Sequence, residues 1–77
     1  MHGNYMIAIF NEQELQPGSD YHHAVLRGLQ PGLAYPVDHT VDYGWYVSVF
    51  LKDFKGGFNS ELFSIFDVQG MTEIREG

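Results

Sequence analysis

The chain is 77 residues long, with ten Asp and Glu against four Lys and Arg, a formal net charge of -6 and no cysteine. That length makes one domain, residues 1–77, near the lower limit at which a single core offsets chain entropy, and the missing thiols exclude a disulfide framework and a thiolate metal site. The acidic residues are spread along the chain, which excludes the clustered cations that phosphate-backbone binding needs, so no direct nucleic-acid partner is expected.

The N-terminal "MHGNYMIAIF" has no basic leader, and no apolar run approaches the length of a membrane span. A cytoplasmic protein with no membrane partner is the expectation. Tyr5 to Phe10, "YMIAIF", is a short apolar run of strand formers ended by the polar "NEQE", and reads as a buried first strand.

From Asn11 to Gly32 the chain is polar and punctuated by Pro17-Gly18 and Pro31-Gly32, two turn-forming pairs. Between them "SDYHHAVLRGL" admits two readings. Ser19 or Asp20 can cap a short helix ending at Gly28 with Tyr21, Val25 and Leu29 on one face, or the segment is a strand-like or irregular excursion. The excursion is preferred, because Val and the paired histidines are mediocre helix formers.

"LAYPV", residues 33–37, reads as a strand that Pro36 moves toward an edge or bend, and "DHTVD" as a polar loop. The strongest strand pattern runs from Tyr43 to about Leu51. Its odd positions, Tyr43, Trp45, Val47, Val49 and Leu51, are all apolar or aromatic and are assigned to the core face, which turns Tyr46 and Phe50 outward. "KDFKGG" supplies a hairpin in which Gly56 or Gly57 takes positive φ, a short turn begins at Asn59-Ser60, and Ile65 to Val68 pairs after it. The tail "QGMTEIREG" adds a marginal strand or frays. The fold class expected is all-β: a small barrel of about five short strands, with a long excursion, or one short helix, after the first.

In order, these segments resemble an SH3-like barrel of the bacterial type. "AIFNE" resembles the family's opening "A-L-Y-D-Y", "LQPGLAYPV" its "L-x-x-G-x-x-x-x-V" segment, "GWYVSVF" its "GWY-x-V" strand, and "KGGFNSELF" its close, where a single 3₁₀ turn precedes the last strand. The resemblance covers roughly residues 5–68 and puts the polar excursion where the family has its long RT loop. Members that bind proline-rich peptides sheathe a polyproline II helix in a groove of aromatics plus a proline. Phe10 matches the first groove tyrosine, but Glu12 stands at the second, Asn59 at the groove proline and Leu62 at the last tyrosine. For the groove tryptophan, direct matching selects Trp45; parity turns Trp45 inward, so the register shifted to Tyr46 is preferred.

Candidate chemistry is sparse. His22 and His23 are adjacent, so on a strand they point to opposite faces, and no spacing converges them with Asp20, His39 and Asp42 into the three or four ligands zinc needs. No nucleophile elbow or ordered partner set accompanies Ser19, Ser60, Asp38, His39 or Asp42. No enzyme activity, catalytic residue, metal or cofactor is expected. Tyr46, Phe50, Phe54 and Phe58 form an aromatic patch that serves either as a surface or as cover within the molecule.

The function expected is a non-enzymatic protein-interaction module, self-associating as a homodimer or docking on a larger protein. Its contact set is Phe10, Tyr46, Phe50 and Leu62, rimmed by Glu12, Glu14, Asp20 and Asp42. The alternative is a small acidic inhibitor of phage or plasmid type that occludes a basic nucleic-acid-binding site on an enzyme.

Overall fold

The structure, a computed structural model, describes residues 6–67 and 72–75. Tyr5 and Val68, expected at the ends of the first and last barrel strands, lie outside the described residues. β1 (Met6–Phe10) is followed by α1 (Asp20–Leu26), β2 (Ala34–Asp42), β3 (Val47–Leu51) and β4 (Gly57–Asn59). A 3₁₀ turn (Ser60–Leu62) then leads into β5 (Phe63–Asp67) and β6 (Thr72–Arg75). All neighbouring strands are antiparallel, in the order β4-β3-β2-β1-β5-β6. The expected all-β fold of about five short strands is therefore present as β1–β5, with the tail adding a sixth.

β2 is longer than its sequence suggests, because "DHTVD" continues the strand instead of forming a loop. Its first half pairs with β1, Ile7 opposite Pro36, and its second half with β3, with a register irregularity between Val37 and His39. Proline lacks the N–H that continues a ladder, so Pro36 sits where the strand changes partner, while its carbonyl accepts from Lys52 N–H at 3.1 Å. The strand is central in the sheet, and Pro36 marks a bend in it.

The segment after β1 contains the short helix that was the less preferred of the two readings. At seven residues it has little stability of its own. Ser19 Oγ accepts from His22 N–H at 3.1 Å and caps its N-terminus. Tertiary burial decides the rest: Tyr21 and Ala24 enter the core, with the Tyr21 ring stacked 5.1 Å from Phe10. Phe10 also packs on Phe63, and Phe63 on Phe58, so one aromatic chain joins α1, β1, β5 and β4.

The expected strand start at Tyr43 is overturned. Residues 43–46 form the hairpin turn between β2 and β3, closed by Tyr43 N–H donating to the Tyr46 carbonyl at 2.9 Å. Asp42 Oδ1 accepts from Gly44 N–H at 2.8 Å, and Gly44 sits at φ +96°, a region that glycine enters without a Cβ clash. Of the odd positions only Val49 and Leu51 are buried; Val47 is half-buried, and Ser48, an even position, is buried as well. Tyr43 and Trp45, placed on the core face by parity, are exposed.

In the second hairpin Gly56 takes the positive φ, while Gly57 is required for room. A Cβ there would collide with Ser48 Oγ and stand 3.0 Å from Phe50 Cζ.

Candidate functional site

Trp45 is 85% exposed, the most exposed large apolar side chain of the described residues. The turn that projects it also organises its neighbours. Tyr43 and Tyr46 stack across the turn with ring centroids 5.0 Å apart, and Trp45 leans on Tyr46 at 4.5 Å with the planes tilted 57°. Tyr46, half-buried, anchors this group to β3. Such stacking fixes the indole in an orientation that leaves its area available to a partner.

A groove lies on each side of this aromatic group, and Trp45, Tyr46 and Asn59 line both. The first, about 430 Å³, runs between α1 and β4, where Asp20, His23 and Arg27 face Ser48, Gly57 and Phe58. The Arg27 guanidinium lies 3.7 Å over the Phe58 ring and donates to the carbonyls of Lys55 and Gly57. Asp20 accepts from Asn59 Nδ2 at 3.2 Å, so α1 and the β4 end are tied across the groove. The second, about 360 Å³, lies on the side of Trp45 away from α1, between the 43–46 turn and the 3₁₀ turn, and includes Asp42, Ser60 and Glu61.

Each groove contains one nearly buried hydroxyl. Ser48 in the first and Ser60 in the second are both 6% exposed, and neither hydroxyl makes a hydrogen bond among the described residues. No side-chain polar atom cut off from water lacks a partner among the described residues, so these hydroxyls keep their hydration through the grooves.

Four residues of the expected contact set line the two grooves: Asp20 and Leu62 the first, Asp42 the second, and Tyr46 both. Phe10 does not; it is 0% exposed, covered by Tyr21 of α1, and belongs to the core. Leu62, 5% exposed, is likewise a core residue that only helps to floor the first groove. The causes differ: the excursion folds back as α1 and sets Tyr21 over Phe10, whereas the 3₁₀ turn that holds Leu62 packs on β3 and β5. Phe50 is half-buried under His39, which stacks on it at 4.4 Å with the planes 6° apart, and it lines neither groove. Glu12 and Glu14 are exposed on the loop before α1 and also line neither. Of the aromatic patch, Phe58 is core and Phe54 packs edge-on against Tyr35 and Phe58, so both are covered within the molecule.

Parity turned Trp45 inward; Ser48 and Glu61 carried no sequence signal of a site, Asn59 figured only in place of the groove proline, and Ser60 only as a nucleophile without partners. The "DYG" triplet was the available sign of an Asx-type turn, and reading it would have moved the strand start to Val47. The histidines do not converge: His22 Nδ1 accepts from Gly18 N–H, His39 Nδ1 lies 2.8 Å from Asp38 Oδ2, and among the described residues no group of three or more His, Asp or Glu side chains could hold a metal ion. No helix among the described residues is long and apolar enough to cross a membrane. Comparison with protein-family models, curated proteins and solved structures finds no match.

Proposed function

We propose that the chain is a non-enzymatic protein-interaction module of SH3-like architecture that docks on a larger protein, or on its own copy, through the surface centred on Trp45. The strand order β4-β3-β2-β1-β5, the long excursion between the first two strands and the 3₁₀ turn before β5 all support the SH3-like reading. The observation that carries the interaction reading is an 85% exposed tryptophan, held by aromatic stacking, at the junction of two grooves. A fixed exposed tryptophan costs a soluble protein apolar hydration, and at interfaces this residue type supplies a large share of binding energy.

Affinity capture from source cells with wild type and Trp45→Ala in parallel, together with sedimentation of both, tests the reading. The expected result is a captured protein, or a dimer, that disappears with Trp45→Ala while thermal stability is retained. Equal capture and equal sedimentation of the two proteins would sink it.

The acidic-inhibitor reading draws support from the exposure of Glu12, Glu14, Asp20, Asp42 and Glu61. It requires binding to a basic nucleic-acid enzyme that weakens steeply between low and physiological salt. Affinity for such an enzyme that is flat across ionic strength removes it.

A further inference from the structure

We propose that the second groove, between the 43–46 turn and the Ser60–Leu62 turn, receives one lysine or arginine side chain of a protein partner. This rests on the interaction reading and names the chemistry of its contact. The groove's lining contains two carboxylates, Asp42 and Glu61, and no cation. One Asp42 oxygen accepts from Gly44 N–H, and the Glu61 carboxylate makes no hydrogen bond or ion pair among the described residues.

Ser60, nearly buried and with no hydrogen bond to its hydroxyl among the described residues, belongs to the same lining, and its hydroxyl has acceptor lone pairs. Trp45 and Tyr46 add aromatic surface whose faces attract a cation. A carboxylate pair, a hydroxyl acceptor and an indole face are complementary to an N–H-rich cationic head whose aliphatic stem lies along the rings. An anion would meet two like charges, and a purely apolar side chain would strip water from carboxylates without replacing it.

The first groove shares Trp45, Tyr46 and a serine, Ser48, with no hydroxyl hydrogen bond among the described residues, but differs in its charges. Its lining includes Arg27 and His23 beside Asp20, the Asp20 carboxylate is bonded to Asn59, and the Arg27 guanidinium is already held by two carbonyls. The cation preference is therefore specific to the groove on the side of Trp45 away from α1.

Trp45 is the only tryptophan in the chain, so its indole N–H is a single reporter in a ¹H–¹⁵N correlation spectrum. The probes are the blocked tripeptides Ac-Gly-Arg-Gly-NH2 and Ac-Gly-Lys-Gly-NH2, with the citrulline tripeptide as the neutral isostere of the first. Saturable shifts of the Trp45 indole and of the Ser60 and Glu61 amides are expected with either cationic peptide, at dissociation constants on the order of 1 mM. The citrulline peptide should bind at least about tenfold more weakly, as should the cationic peptides to the double variant Asp42→Asn, Glu61→Gln. Asparagine keeps the oxygen that Gly44 N–H needs, so the turn survives in that variant.

Equal binding of the citrulline peptide, undiminished binding by the double variant, or no shift in these resonances would each overturn the proposal. If Trp45→Ala still abolishes partner capture while no cationic peptide binds, this inference fails alone. If cationic peptides bind but capture is indifferent to Trp45→Ala, the interaction reading fails, and with it the assignment of a partner's side chain.

Discussion

Trp45 and Phe10 show how little residue type says about role in this chain. Both are large and aromatic, yet one is 85% exposed and the other fully enclosed. Truncating Trp45 to alanine removes area that the folded chain does not bury, so stability should stay within about 0.5 kcal/mol of wild type while binding is lost. Gly57 is the opposite case, a residue with no side chain on which the local packing depends. Gly57→Ala forces a methyl into Ser48 Oγ and against Phe50, and should lower stability by about 1–3 kcal/mol in urea denaturation. Ser48→Gly on that background removes the obstructing hydroxyl and should recover part of the loss; an undiminished loss would show that Phe50 is the harder obstacle.

α1 is the element whose existence depends most on its surroundings. A polar excursion could have replaced it, but Tyr21 and Ala24 bury apolar area against Phe10 and the core, and Ser19 caps the first turn. At its far end Arg27 reaches the outer strand β4, bonding the carbonyls of Lys55 and Gly57 and covering the Phe58 ring. An outer strand with free backbone groups invites pairing with another chain, and a charged side chain laid across it is one way to prevent this. Arg27→Ala should therefore cost about 1 kcal/mol and accelerate amide exchange in Gly57 to Asn59. Exchange unchanged in β4 would mean that Arg27 does not hold this edge.

For the whole molecule, 77 residues and no cross-link imply a total stability of roughly 4–11 kcal/mol. One buried cluster joins β1, α1, β2, β3, β4 and β5, so its loss is not confined to one element. Phe10→Ala removes a ring that contacts both Tyr21 and Phe63 and should cost about 3–5 kcal/mol, a large part of that total. Near-UV circular dichroism and urea midpoints should fall together in this variant, with α1 and the sheet lost in one transition. A variant that keeps its sheet signal while α1 alone melts would show two independent units.

Much of the fold was legible in local chemistry. "MIAIF" and "VSVFL" lie within the expected strands, Gly56-Gly57 marks a hairpin and Asn59-Ser60 opens the 3₁₀ turn, while the last barrel strand, expected from Ile65, begins two residues earlier at Phe63. These features depend on neighbours a few residues away, which is why one chain of letters contains them. Asp20 and Asp42, at the ends of α1 and β2, are exposed as charged residues there tend to be, and they line the grooves beside Trp45. The tertiary structure decided which aromatics are covered. Side chains alternate with a period of two, so a strand's inward set depends on where the strand begins, and a start moved from Tyr43 to Val47 places residues 43–46 outside the alternation altogether. Whether Phe10 meets solvent depended on where α1 came to rest, and whether Leu62 does depended on how the 3₁₀ turn packs on β3 and β5, long-range outcomes that no local pattern specifies.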